Sequence, residues 1–241
     1  MNKQYRIVWS ESSQSWVAVA EIARARGKSQ GACTGLAGQA LQAVLKPVAM
    51  ALALWGGLSY AAPPAPTQLP TDGQVVAGQA SIQQAGGAVL NVNQTSNAAV
   101  INWGSFNLGS AATVNFLQPS SSAAVLNRVL DANPSQIYGR ITATGQVFFT
   151  NPSGMYFGPT SSVDVGGFTA TTHSIGTADF MAGRYRFTRE GATGAIVNEG
   201  QIQAALGGYV ALLAPEVRNH GVVLAQMGTV ALAAGEAYQL Q

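Results

Sequence analysis

Two stretches near the C-terminus repeat at a spacing that few all-β architectures accommodate. Asn198-Glu199-Gly200-Gln201-Ile202-Gln203-Ala204 aligns with Asn219-His220-Gly221-Val222-Val223-Leu224-Ala225 at a spacing of 21. Tyr209-Val210-Ala211-Leu212-Leu213-Ala214 aligns with Thr229-Val230-Ala231-Leu232-Ala233-Ala234 at a spacing of 20. A period of this size, with short apolar strands in each repeat, is the signature of a β-solenoid, in which no coil can bury its apolar face alone. Stacking at this period predicts Ile202 against Val223, Val210 against Val230 and Leu212 against Leu232 in the interior. It places Asn198 against Asn219 at a corner, where an Asn amide can bond the neighbouring coil and tolerate left-handed backbone. Gly200 and Gly221, two residues on, supply the bend. A β-sandwich is the competing all-β reading, but it does not predict so regular a register.

Upstream, β-branched and aromatic runs are broken at short intervals by Gly or Asn. Ala98–Trp103, Thr113–Leu117, Gln136–Ala143, Gln146–Thr150, Ser162–Val165 and Phe168–Thr171 read as strands. Residues 62–71, with Pro63-Pro64-Ala65-Pro66 and Leu69-Pro70, form an extended lead-in and not a domain. No ten-residue amphipathic helix is legible after residue 72.

The first 61 residues have a different character. Six bases (Lys3, Arg6, Arg24, Arg26, Lys28, Lys46) face two acids (Glu11, Glu21), a net +4. The uncharged run Pro47–Leu58 comes next, and then Ser59-Tyr60-Ala61. Positive region, apolar region and small-x-small site together describe a secretory signal, cut between Ala61 and Ala62. Twelve residues rise only about 18 Å as a helix, too short for a membrane span; a buried helix is the plainer alternative. Removal of residues 1–61 takes every Lys and the single Cys33 with it. Six Arg and eight acids remain, a net −2. A weakly acidic chain without Lys has no electrostatic footprint for nucleic acid. Without a thiol it must hold together by packing and hydrogen bonds.

Three segments carry a resemblance: Ile101–Gly109 (INWGSFNLG), Leu126–Ile141 (LNRVLDANPSQIYGRI) and Gly145–Gly158 (GQVFFTNPSGMYFG). In this order they resemble the secretion domain of filamentous haemagglutinin-like exoproteins of the two-partner secretion pathway, over most of residues 72–241. The resemblance implies a right-handed parallel β-helix with an N-terminal cap. It implies secretion from a Gram-negative bacterium through the Sec machinery and signal peptidase, then across the outer membrane by a β-barrel transporter with periplasmic recognition domains. The host-surface ligand of such exoproteins usually belongs to a longer downstream solenoid. Folding of the first coils at the surface would template the later ones. No metal, ATP or other cofactor is implied. The family's Asn-Pro-Asn-Gly-Ile motif, implicated in export, maps onto Asn151-Pro152-Ser153-Gly154-Met155. Ser153 and Met155 depart from it conservatively. A second family motif, Asn-Pro-Asn-Leu, has no clean counterpart; Asn115–Pro119 and Asn133-Pro134 lie nearby. Leu126–Leu130 could make one helical turn, but Arg128 in a family-like Leu-Asn-Arg context argues for a strand edge or corner.

The leader also resembles the extended signal region of very large exported proteins. The match lies at Asn2-Lys3, Tyr5-Arg6, Val8-Trp9, Trp16-Val17 and Gly27-Lys28. That resemblance implies slowed or modulated inner-membrane export and a helical signal region. An amphipathic helix through Trp16, Val17, Val19, Ala20, Ile22 and Ala23, lying on anionic lipid, is the alternative.

Two other functions fit a β-helix and are weaker. A polysaccharide-active enzyme needs clustered carboxylates, and here the acids are scattered, with no Asp-x-Asp, His-x-x-x-His or Gly-x-Ser-x-Gly. His173 and His220 read as corner or surface residues. Arg184, Arg186 and Arg189 read as three solvated cations on one strand face. A stand-alone adhesin or glycan-binding module could use Tyr138, Tyr156, Phe157 and Tyr185, although aromatic residues at strand positions are more often core. Gln241 comes after a complete-looking coil with no polar cap, which reads as a truncated or short exoprotein.

Overall fold

A computed structural model of the chain describes residues 5–10, 15–20 and 62–240. The apolar run Pro47–Leu58 and the residue Ala61 lie outside the described residues. Residues 1–56 and 57–241 form two compact units.

In the first unit, Tyr5–Ser10 and Ser15–Ala20 pair as antiparallel strands, with Trp9 opposite Trp16. Of the alternative helix through Trp16–Ala23, residues 16–20 are therefore strand, and Ile22 and Ala23 lie outside the described residues. The reason lies in composition: both segments are dominated by Tyr, Ile, Val and Trp, which favour a pleated strand over a helix.

The second unit is a three-faced parallel solenoid. Its first face is a seven-stranded sheet running from Ala80–Gln84 and Val89–Gln94 through Thr113–Leu117, Arg140–Ala143, Ser162–Val165 and Gln201–Ala204 to Val222–Ala225. The second face runs from Gln74–Ala77 and Ala98–Trp103 through Ala124–Val129, Gln146–Thr150, Gly167–Thr171 and Tyr209–Leu213 to Thr229–Ala233. The third, of four strands, holds Ser135–Ile137, Met155–Phe157, Ala195–Asn198 and Glu216–Asn219. Within these sheets only Gln74–Ala77 and Ala80–Gln84 run antiparallel to their neighbours. These two strands close the N-terminal edges, forming the cap. The lead-in docks beside them: Gly109 N–H donates to Gln68 O (3.0 Å) and Ala111 N–H to Pro66 O (2.8 Å).

Inside, like sits on like. One column runs Leu90, Val114, Ile141, Val163, Ile202, Val223. Another runs Ala99, Val125, Val147, Phe168, Val210, Val230. Burying each large aliphatic or Phe side chain contributes about 1.5–3 kcal/mol. The columns hold the predicted stacking at every pair named from the repeat. Their enclosure differs from expectation at the last coil, where Val230 and Leu232 remain 44% and 46% exposed. No further strand covers that coil among the described residues.

The strand predictions hold with two refinements. Gln136–Ala143 is two strands, Ser135–Ile137 and Arg140–Ala143, because the chain turns a corner at Tyr138-Gly139. A Cβ at Gly139 would lie 2.3 Å from Ala112 O, so only Gly fits between the coils there. Leu126 belongs to the strand Ala124–Val129 and makes no helical turn.

Residues 172–194 leave the solenoid between its second and third faces. They form the short helix Thr177–Met181 and the strand Tyr185–Thr188, which cover the outside of the second sheet. Phe148 lies at the centre of this outer cluster, 5.2 Å from the Phe180 ring and 4.7 Å from that of Tyr185. Arg128 secures the insertion. Its guanidinium donates to Ile175 O (3.0 Å) and Thr177 Oγ1 (3.3 Å), and burial lowers its pKa from the ordinary arginine value.

Candidate functional site

Asn151-Pro152-Ser153-Gly154 joins the strand Gln146–Thr150 on the second face to Met155–Phe157 on the third. Gly154 N–H donates to Asn151 O at 3.0 Å, closing a β-turn. Ser153 N–H donates to Asn151 Oδ1 at 2.9 Å, so the Asn side chain caps its own turn. Gly154 has φ 110°, and a Cβ there would meet Ala195 O at 2.6 Å on the next coil. Met155 is enclosed in the interior, anchoring the far side of the turn.

Asn151 does more than turn the chain. Its side chain is fully buried, and Nδ2 donates to Asn133 O (3.2 Å) and Ser135 Oγ (3.0 Å) on the preceding coil. Ser153 Oγ adds a bond to Asp131 O at 3.3 Å, and Ser135 N–H returns one to Gly154 O at 3.1 Å. On the other side, Gly194 N–H donates to Pro152 O at 3.2 Å. Three successive passes of the chain therefore meet at this turn. In the folded domain both Nδ2 hydrogens of Asn151 are spent on neighbours, and the side chain is enclosed out of a partner's reach.

Asp131, Asn133 and Ser135 are the partners that motif reasoning missed. A signal was present: Asn133-Pro134-Ser135 is repeated as Asn151-Pro152-Ser153. The two triplets lie on adjacent coils, offset by two positions, since Ser135 pairs with Met155.

At the second corner Asn198 stands opposite Asn219 on the next coil. Asn198 is fully buried, with Oδ1 accepting from Gly200 N–H (3.2 Å) and Nδ2 donating to Asn219 Oδ1 (2.7 Å). Gly221 lies so close beneath that a Cβ would meet Gly200 O at 2.1 Å. This corner lies apart in sequence from the Asn151 turn but is built on the same third face.

Several candidate side chains are placed otherwise than expected. His173 is fully buried, with Nε2 2.9 Å from Gly235 O and its ring 4.9 Å from that of Tyr238, because residues 235–238 lie over it; His220 is exposed as read. Arg184 pairs with Asp179 and Arg189 with Glu236. Of the three Arg only Arg186 lies within the strand Tyr185–Thr188, so they do not form one cationic face. Phe157 is enclosed in the interior. Tyr156 is buried too, its hydroxyl donating to Glu199 and its ring 5.7 Å from Tyr138. Burial first, then the Glu199 bond, holds the Tyr156 phenol well above its ordinary range. Tyr138 and Tyr185 are half-buried. Among the described residues no three His, Cys, Asp or Glu side chains gather as metal ligands.

Comparison with known proteins agrees with this architecture. The TPS secretion domain family matches residues 67–241, and the extended signal peptide of the type V secretion system matches residues 1–50. Two heme/hemopexin-binding proteins of Haemophilus influenzae are similar. One is 33% identical over 144 residues, covering 60% of this chain and 15% of the relative. The other, from strain Rd, is 31% identical over 191 residues, covering 76% of this chain and 21% of the relative. The chain thus spans no more than about a fifth of the length of the curated relatives it matches. The crystal structure of the HMW1 secretion domain from Haemophilus influenzae superposes with a TM-score of 0.67 at 32% identity, covering 70% of this chain and 46% of that one.

Proposed function

The chain belongs to the family of TPS secretion domains, and from that premise we propose how it is read during export. A domain of this family is a secretion-targeting unit of an exoprotein, not an enzyme, and an outer-membrane transporter recognises it. With the extended signal peptide, it is carried across the periplasm to the cell surface or beyond. We place transporter recognition at Asn151-Pro152-Ser153-Gly154-Met155, read while this stretch is still extended.

The observation that carries this reading is the enclosure of Asn151. Both bonds from its Nδ2 and the bond to its Oδ1 are internal. A buried amide with both donors used is closed to a partner, whereas in an extended chain its donors and its acceptor are open. Recognition at Asn151 therefore precedes folding. The flanking segments Gln146–Thr150 and Met155–Phe157 are strand formers, suited to addition onto an open sheet edge of the transporter's periplasmic domains. Residues 1–61 take the Sec route and are removed by signal peptidase between Ala61 and Ala62. On emergence, the capped N-terminal coils fold first and template the later ones.

The test is capture of the purified chain by the transporter's periplasmic region, with the chain either folded or held unfolded in urea. The unfolded chain should be retained and the folded chain not, and unfolded Asn151→Asp should be retained more weakly. Equal capture of folded and unfolded chain would overturn the reading.

A further inference from the structure

A solenoid is expected to grow coil by coil, each resting only on its neighbour. The strand Tyr185–Thr188 breaks that rule. It lies in the insertion between Gly167–Thr171 and Ala195–Asn198, yet its antiparallel partner is Ala237–Leu240, after the last described coil. The register is Tyr185 with Leu240, Arg186 with Gln239, Phe187 with Tyr238 and Thr188 with Ala237. Arg189 N–H donates to Glu236 O (3.0 Å), and its guanidinium pairs with the Glu236 carboxylate at 2.7 Å. His173, where the insertion begins, meets Gly235 O through Nε2 at 2.9 Å, and its ring stands edge-on to Tyr238 at 4.9 Å. Leu240 packs on the outer cluster around Phe148 and Phe187.

The inner part of the insertion needs none of this. Ile175, Phe180 and Phe187 rest on Val100, Leu126 and Phe148, which precede them in the chain. Its outer edge is different. Until residues 235–240 arrive, that edge of Tyr185–Thr188 has unpaired backbone groups, and His173 lacks its carbonyl partner. Residue 235 reaches His173 only by way of Ala195–Asn198, Gln201–Ala204, Tyr209–Leu213, Glu216–Asn219, Val222–Ala225 and Thr229–Ala233. When these strands are wound into coils they deliver it to the right place; when they are unwound, closing so long a loop opposes the contact.

We infer that Gly235–Leu240 is a closing strap. It docks on His173 and Tyr185–Arg189 only after the two intervening coils, from Ala195–Asn198 to Thr229–Ala233, have formed, and so couples the insertion directly to the segment that follows them. The strap converts a neighbour-by-neighbour stack into a unit whose outer layer is completed last. It also leaves an open strand edge exposed for as long as the chain is incompletely wound.

Pulsed hydrogen exchange during refolding of the chain from urea tests this. The amides of Tyr185, Phe187 and Arg189, which face the strap, should gain protection no earlier than those of Tyr209–Leu213, although they come first in sequence. Protection of these three together with Gln146–Thr150, ahead of Tyr209–Leu213, would overturn the inference. A second arm uses Tyr238→Ala in the refolded chain. Its Tyr185, Phe187 and Arg189 amides should exchange at least about ten-fold faster than in the parent, while Gln146–Thr150 is unchanged. Parental protection of these three amides in that variant would equally refute the strap.

Discussion

Asn198 and Asn219 stack side chain to side chain across adjacent coils, Nδ2 of the first donating to Oδ1 of the second at 2.7 Å. Asn198 is fully buried, and its own Oδ1 accepts from Gly200 N–H. One amide thus fixes both the turn of its own coil and the register of the next.

Asn198→Ala should lower the stability of the purified protein by roughly 1–3 kcal/mol, since it leaves the Gly200 N–H buried without an acceptor. Asn219→Ala should cost less, because Asn219 is exposed and water can replace it. Urea midpoints of the two variants against the parent measure the difference. Equal midpoints would mean that the ladder adds nothing to the corner.

Alkaline pH should destabilise the domain through Tyr209. Burial raises its phenol to about 12 from an ordinary 10, and the hydroxyl bonds Gln146 Oε1 at 3.1 Å. The folded state keeps this proton where the unfolded chain has lost it. The resulting stability is present in full below about pH 10 and is lost as pH rises toward about 12. Urea midpoints across that window should fall for the parent and fall less steeply for Tyr209→Phe. Buried Tyr156 titrates in the same direction, so the slope should be reduced and not abolished.

How much of this is legible in the sequence depends on whether neighbours along the chain or neighbours in space decide the structure. The stacking of Ile202 on Val223 and Leu212 on Leu232 can be read directly, because a solenoid writes its contacts as a period. The Asn151 turn is legible as a turn, since Asn, Pro and Gly each have local reasons to be there. Its cross-coil bonds to Asn133 O and Ser135 Oγ are not, because the coils on either side differ in length and hide the register. For that reason Asn151→Asp, which a local reading of the turn alone would pass as mild, keeps only part of the bonding. The carboxylate can still accept from Ser153 N–H, but it loses both donors and faces the Asn133 carbonyl. His173 reads as a corner or surface residue and is buried for a similar reason: the carbonyl that covers it lies 62 residues further along.

Export should leave a protein that begins at Ala62. The charge, the apolar run Pro47–Leu58 and Ser59-Tyr60-Ala61 all place the cut there. N-terminal sequencing of secreted protein checks it. Recovery of Met1, or of a start far from residue 62, would reject cleavage at this site.

The proposed recognition makes reading of the Asn151 amide by the transporter, before that amide is buried, the step on which export of this chain turns. Because Asn151→Asp must also weaken the folded domain, its secretion has to be compared with a variant of equal instability that leaves the turn intact. Leu212→Ala in the solenoid interior serves, being expected to cost about 2–5 kcal/mol, with Leu212→Val available to match the urea midpoints more closely. Secreted yield from cells expressing the cognate transporter is then measured for the matched pair. Asn151→Asp should be secreted markedly less than its equally unstable partner; equal yields would reduce Asn151 to a structural residue and contradict recognition at its amide.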